Sequence, residues 1–150
     1  GISFTKNEAK ITLIGVIDRP GVAASIFKPL ADNHINVDMV VQNISANSGQ
    51  TDITFTIKND DANNCIKILK ENKKISYNKI IYDDKVSKIS IVGAGMIATP
   101  GVTYRMFQAL AKKDINIMVI STSEIKISVI ISQKNIKKAV RVLHEEFDLN

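Results

Sequence analysis

The sequence predicts an α+β fold written twice: two βαββαβ units whose antiparallel sheets carry their helices on one face. Three observations predict it. The chain repeats itself, since Pro20, Gly21, Val22, Phe27, Leu30, Ala31, Ile35 and Asn36 meet identical residues 80 positions on, at Pro100, Gly101, Val102, Phe107, Leu110, Ala111, Ile115 and Asn116. That period exceeds the ~20–50 residues of solenoid repeats, so it reads as a duplicated small domain. Each copy alternates short period-two stretches with amphipathic helical ones. Finally, 150 residues suffice for two units of roughly 70–80 residues, near the lower size at which a core supports itself. Units that small gain by packing together.

In order along the chain, Ala9–Val16 sets Ile11 and Leu13 against Thr12 and Ile14, a strand pattern. Asp18-Arg19-Pro20-Gly21 is a turn that opens a helix, and from Val22 to Asn33 the residues Ala23, Ile26, Phe27, Leu30 and Ala31 recur at threes and fours. Ile35–Ser45 reads as a second strand, 46–49 as hairpin-turn chemistry, and Asp52–Lys58 as a third strand with Ile53, Phe55 and Ile57 on one face. Asn59-Asp60-Asp61 starts a helix bearing Ala62, Cys65, Ile66 and Leu69. Tyr77–Tyr82 is the fourth strand, which completes a ferredoxin-like unit. The second copy gives strands at Val86–Gly93, Ile117–Ser121 and Ile125–Ser132. Its helices fall at Gly101–Lys113 and 133–147, the latter carrying Ile136, Ala139, Val140, Leu143 and Phe147. Too little chain follows for a fourth strand, whereas Ile2-Ser3-Phe4 is a spare one. The units are therefore placed at 6–82 and 86–150, with residues 2–5 expected to complete the second; a frayed N-terminus is the alternative. Asp83-Asp84-Lys85 is too short for a flexible tether.

Composition excludes several classes. Hydrophobic content of 45% with 23% charged residues is globular, not disordered. The net charge of +5 comes from scattered lysines without the basic run that marks a nucleic-acid patch. An RNA-binding ferredoxin-like domain needs stacking aromatics on its central strands. Phe55 points with Ile53 and Ile57 to the helices, so no nucleic-acid partner is expected. No apolar run approaches the ~18 residues of a membrane span, and no signal peptide is read. Gly1 stands where an initiator methionine would, which suggests a piece of something longer. Cys65 alone cannot form an internal disulfide; it suits a reducing cytoplasm and is expected to be a buried, inert thiol. His34 and His144 lack partners at metal-ligand spacing, so no metal site and no catalytic residue is expected.

Asp18-Arg19-Pro20-Gly21 and Thr99-Pro100-Gly101 carry the most suggestive chemistry. Each precedes a helix whose first N–H groups seat a carboxylate. Asp18 beside that seat either holds a ligand ammonium group or merely caps the helix. Asn36 and Asn116 offer amide donors and an acceptor suited to a zwitterion, or are turn residues that tolerate unusual φ. Gln42-Asn43-Ile44-Ser45 and Ser121-Thr122-Ser123-Glu124 put different uncharged polar groups at equivalent strand ends. The alternative there is hydrogen bonding across a hairpin. Val92-Gly93-Ala94-Gly95-Met96 lacks the third glycine and the later acidic residue of a dinucleotide fingerprint.

Those stretches, with Glu8-Ala9-Lys10-Ile11-Thr12, Ile35 to Ser45, Thr51-Asp52-Ile53-Thr54-Phe55-Thr56 and Ile120 to Val129, resemble the paired ACT domains at the C-terminal end of aspartate kinase over nearly the whole chain. Val-Gly-Ala-Gly-Met and Ile-Ser-Thr-Ser-Glu-Ile are the more specific parts. The resemblance implies a regulatory module that binds threonine or lysine, or both, at the interface of two ACT units for feedback inhibition. One effector site would use Asp18, Gly21, Ala23 and Gln42, closed by Asn116 and Ile117. The other would use Thr99, Gly101, Val102 and Thr103 with Asn36, Val37, Ser121 and Ser123. Ser45, Thr51 and Thr54 would lie near the pocket. The second turn has no counterpart of Asp18. ATP and Mg would belong to a catalytic domain absent from this segment, either as the rest of one chain or as a separate subunit. A homodimer through the ACT units is expected, and a purely structural dimerisation module is the rival reading.

Overall fold

The computed structural model describes residues 1–44, 49–93 and 101–147. Its strands are β1 (Ile2–Ile17), β2 (Val40–Ile44), β3 (Gln50–Lys58), β4 (Lys79–Val92), β5 (Val119–Thr122) and β6 (Lys126–Ser132). Its helices are α1 (Val22–Asp32), α2 (Ala62–Glu71), α3 (Val102–Lys112) and α4 (Ile136–Phe147), and short 3₁₀ turns at Asn59–Asp61 and Gln133–Asn135 precede α2 and α4. The chain divides into a first unit, Glu8–Asp84, and a second, Gly1–Asn7 with Lys85–Asn150.

In the first unit the strand order is β2-β3-β1-β4. Antiparallel register sets Ala9 opposite Ile57, Ile11 opposite Phe55 and Leu13 opposite Ile53, so these side chains share one face. Val22, Ile26 and Leu30 of α1 and Cys65 and Leu69 of α2 close over them. Phe27 meets Phe55 edge-on with ring centroids 5.2 Å apart. Each such fully buried large side chain contributes about 1.5–3 kcal/mol.

Two local devices keep this packing in phase. Between Leu13 and Val16 the register slips by one residue. Gly15 lies there at φ 70, and its N–H donates to Asp52 Oδ1 at 2.9 Å. This bulge lets both Leu13 and Val16 face the core although they are three residues apart. Pro29 lies inside α1 and has no N–H for the carbonyl of Ser25. The side-chain amide of Asn72, just past α2, donates to that carbonyl at 2.9 Å and so ties the two helices together.

In the second unit the order is β1-β4-β6-β5. The N-terminal strand completes this sheet, as the spare strand in the sequence implies. Val92 N–H donates to the Gly1 carbonyl at 2.8 Å, and Ser87 Oγ donates to the Lys6 carbonyl at 2.6 Å. Ile89, Ile91, Ile127, Val129 and Ile131 pack under Met106, Leu110, Ala139 and Leu143. On the opposite sheet face the paired residues Ser90 and Ser128 share a buried hydroxyl–hydroxyl bond of 2.6 Å. Thr12 and Thr54 share a half-buried one in the first unit at 3.0 Å.

α1 and α3 end identically. Ile35 N–H reaches the Leu30 carbonyl and His34 N–H the Ala31 carbonyl; Ile115 and Asp114 repeat this on Leu110 and Ala111. His34 and Asp114 are left-handed, at φ 59 and 57, with Ile35 and Ile115 buried beyond them. This is the Schellman ending, with a histidine and an aspartate in glycine's usual place.

Four expectations need correction. Ile35–Ser45 is not one strand: the left-handed residue at His34 and the hydrogen bonds of Asp38 and Met39 to Thr56 hold 35–39 outside the regular ladder until Val40, and Ser45 lies outside the described residues. Tyr77–Tyr82 and Val86–Gly93 are not separate strands, because nothing in Asp83-Asp84-Lys85 breaks an extended chain and β4 runs through it. β1 likewise starts at Ile2 rather than Ala9. Ala23 and Ala31 are exposed, since the buried stripe of α1 is Val22, Ile26 and Leu30.

Candidate functional site

Both units present the same helix start. Gly21 and Gly101 precede α1 and α3 at φ 88 and 89, and among the described residues no side chain caps either helix. Only glycine takes that conformation without strain. Val22 and Val102 turn their side chains into the cores. The first-turn N–H groups of Ala23 and Thr103 follow. Such a start favours an anionic group.

In the first unit, Asp18 is exposed. Its N–H donates to the Gly49 carbonyl at 3.0 Å, which draws the end of the β2–β3 hairpin beside the helix start. The capping alternative for Asp18 fails, because its carboxylate makes no cap bond. Gln42 is exposed on β2, opposite Ile53. Thr51 is buried, with its hydroxyl donating to the Asn43 carbonyl across the hairpin at 3.0 Å. Thr54 is engaged with Thr12.

Asn36 and Val37 lie elsewhere. With Phe27, Ala31, His34 and Ile35 they line a cavity of about 450 Å³ at the far end of α1. Eleven helical residues put that corner about 16 Å from Gly21. Asn36 and Asn116 do not carry the unusual φ that the turn alternative required; His34 and Asp114 do. Asn116 and Ile117 hold the equivalent corner beyond α3, with Ile117 packed on the core. Neither corner reaches the helix start of its own unit.

In the second unit, Ser121 is exposed on β5 opposite Ser128. Ser123 N–H donates to the Lys126 carbonyl at 2.8 Å, so for Ser123 the hairpin alternative holds. Thr99, like Ser45, lies outside the described residues.

One cluster escaped sequence reasoning. Gly15, Asn43, Gln50, Thr51, Asp52 and Asn78 line a polar cavity of about 230 Å³ at the bulge in β1. Its one sequence signal was an isolated glycine inside a strand pattern. Cys65 is fully buried. Loss of solvation, followed by the nearby Asp61 charge, pushes its thiol from 9.0 up to about 12, as an inert core residue requires. Among the described residues no helix is long and apolar enough to cross a membrane.

Comparison with known proteins agrees with this architecture. The ACT domain family model matches residues 11–72 and 89–147. An aspartokinase of Corynebacterium glutamicum is 47% identical over 151 residues, covering 99% of this chain and 36% of its own length. The chain thus spans about a third of that relative. Among solved structures, a chain from the crystal structure of aspartokinase alpha and beta subunits is 46% identical with a TM-score of 0.89, covering 99% of this chain and 98% of its own. The ligand-free regulatory subunit of aspartate kinase from Thermus thermophilus is 38% identical with a TM-score of 0.89, covering 98% and 97%. Two glycine-headed helix starts on twin βαββαβ units, with this likeness over nearly every residue, place the chain in the ACT domain family, in the tandem form that makes up the regulatory region of aspartate kinases.

Proposed function

We propose that the module senses end-product amino acids, threonine or lysine or both, and feedback-inhibits an aspartate kinase that transfers phosphate from ATP to the aspartate carboxyl group. The pair of uncapped helix starts at Gly21 and Gly101 carries this reading. In the first site the effector carboxylate rests on the amides of Gly21 and Ala23, since the Val22 N–H already donates to the Arg19 carbonyl at 3.1 Å, its ammonium rests on Asp18, and Gln42 flanks it. In the second, Gly101, Val102 and Thr103 supply the amides, with Thr99, Ser121 and Ser123 as uncharged partners. Asn36–Val37 and Asn116–Ile117, at corners about 16 Å from their own helix starts, are further candidates for effector contact. Bound effector selects the inhibited arrangement. Moving a population from mostly active to mostly inhibited takes about 5.5 kcal/mol of differential affinity, which two sites can share. The catalytic domain or subunit of the kinase, and a second copy of this chain, are the protein partners in a cytoplasmic enzyme.

Calorimetry with threonine, lysine and both tests this. Saturable heat is expected, and Asp18→Ala should weaken threonine about tenfold or more, the loss of one charge-assisted hydrogen bond. Unchanged affinity would remove the ammonium contact. The rival reading, a dimerisation scaffold, draws on exposed Val40 and Ile44 of edge strand β2 and Ile120 of β5. It predicts no heat and no thermal shift with any amino acid, whereas a ligand of the folded form raises Tm.

A further inference from the structure

We propose that the second unit carries a separate binding site for a small polyphosphate, two or more linked phosphates, at the start of α4. A cavity of about 410 Å³ opens there. Lys6, Lys85, Lys134 and Lys137 line it, with Ser132 and Gln133, and among the described residues no carboxylate does. The lysines come from three separate stretches of chain, so scanning the sequence for basic runs passes over them.

The wall is built, not incidental. The Gln133 side-chain amide donates to the Lys6 carbonyl at 3.2 Å and to Asn7 Oδ1 at 2.7 Å. Ser87 Oγ holds the same Lys6 carbonyl. These bonds fix the start of β1 against the 3₁₀ turn. Lys85 also has an interaction of its own within the chain, which leaves Lys6, Lys134 and Lys137 as the main ligand-facing cations.

The fold does not demand this charge. The corresponding turn before α2 in the first unit is Asn59-Asp60-Asp61, with Asp60 where the second unit has Lys134. Duplication kept the turn and reversed its charge. Lysine ammoniums are point-charge phosphate binders. Several converging on one cavity exceed what a single carboxylate needs, and suit an anion whose charge is spread over linked phosphates.

The test titrates inorganic pyrophosphate into the intact chain by calorimetry, with ADP, citrate and a single-stranded RNA oligomer as parallel arms. The expected result is one saturable pyrophosphate site, weaker at high salt because exposed charges are screened. Lys134→Gln with Lys137→Gln should weaken it about tenfold. Lys112→Gln with Lys113→Gln, which removes equal charge at the end of α3, should leave it within about twofold. Equal or tighter ADP binding that the first double variant abolishes identifies a nucleotide as the source; pyrophosphate alone identifies the inorganic anion. Absence of saturable heat, equal loss in both double variants, citrate binding as tightly as pyrophosphate, or tighter binding of RNA would each overturn the proposal. The four substituted lysines are exposed, so circular dichroism should show all variants folded.

Discussion

Gly15→Ala tests whether the bulge in β1 is what phases the first core. At φ 70 an alanine occupies the left-handed region at a cost of about 1–2 kcal/mol. A methyl built there also runs into Asn78, falling 2.7 Å from its Cγ and 3.2 Å from its Cβ. The Asn78 amide must swing away, and overpacking of this kind costs about 1–3 kcal/mol. The flexible side-chain end keeps the cost near the lower figure. The sum is about 2–3 kcal/mol. Gly21→Ala provides the internal reference: its φ is 88, but nothing lies within 4 Å of the added methyl. It should lose only the conformational part, about 1–2 kcal/mol. Equilibrium urea unfolding of both variants, and of each combined with Asn78→Ala, separates the terms. Asn78→Ala should recover about 1 kcal/mol in the Gly15→Ala background and nothing in the Gly21→Ala background. Equal destabilisation by the two glycine replacements, or no coupling to Asn78, would refute the account of the bulge.

His34→Gly should stabilise the first unit by about 0.5–1 kcal/mol, read as a rise in Tm, because glycine takes the left-handed residue of the Schellman ending without strain. Asn72→Ala should cost about 1–2 kcal/mol in urea unfolding, since it leaves the Ser25 carbonyl of the proline-containing helix without its donor. Ser90→Ala should cost about 1–2 kcal/mol by stranding the buried Ser128 hydroxyl, while Ser90→Ala with Ser128→Ala should be closer to neutral; equal losses would contradict the pairing. The Cys65 thiol, pushed up from 9.0 to about 12, contributes stability that is fully present below pH 9. That stability is lost as pH rises from 9 towards 12, because the unfolded thiol ionises first. Native Cys65 should also react slowly with a thiol reagent at pH 8, and rapidly only after denaturant is added.

What the sequence revealed follows from periodicity. Ile11, Leu13, Ile53, Phe55 and Ile57 alternate cleanly, and their strands and shared face were legible. Strand limits were not. Extended chain continues through Asp83-Asp84-Lys85 because no glycine or proline stops it, and charge alone does not end a strand. The helix endings hid because His34 and Asp114 stand where glycine usually marks them. At the candidate site the glycine-headed starts were readable from Pro-Gly. Whether Asp18 capped its helix was not, because capping depends on where one rotatable carboxylate points. The polar cavity around Asp52 and Asn78 and the lysine cavity draw on residues far apart in sequence. Nothing local distinguishes Lys134 from any other lysine.

Comparison of the two copies separates what folding requires from what binding requires. The backbone devices are duplicated almost degree for degree: Gly21 and Gly101 at φ 88 and 89, His34 and Asp114 at φ 59 and 57. Side-chain identity need not be kept to preserve them, since histidine and aspartate do the same job at the second pair. Residues that face solvent beside these devices have diverged. Where the first copy has Gln42 on β2 the second has Ser121 and Thr122 on β5, and where the first has an acidic turn before α2 the second has a lysine-lined one before α4. A scaffold that needed only matched surfaces would have no reason to keep two open glycine-headed starts while changing what surrounds them. Two receptors of different selectivity would. Because a ligand shifts an equilibrium only by its differential affinity for the two states, unequal sites of the kind proposed would let two metabolites contribute separately to one inhibited arrangement. The consequence is measurable: threonine and lysine together should stabilise the chain more than either alone at saturation, and strictly interchangeable effects would mean that only one start is used.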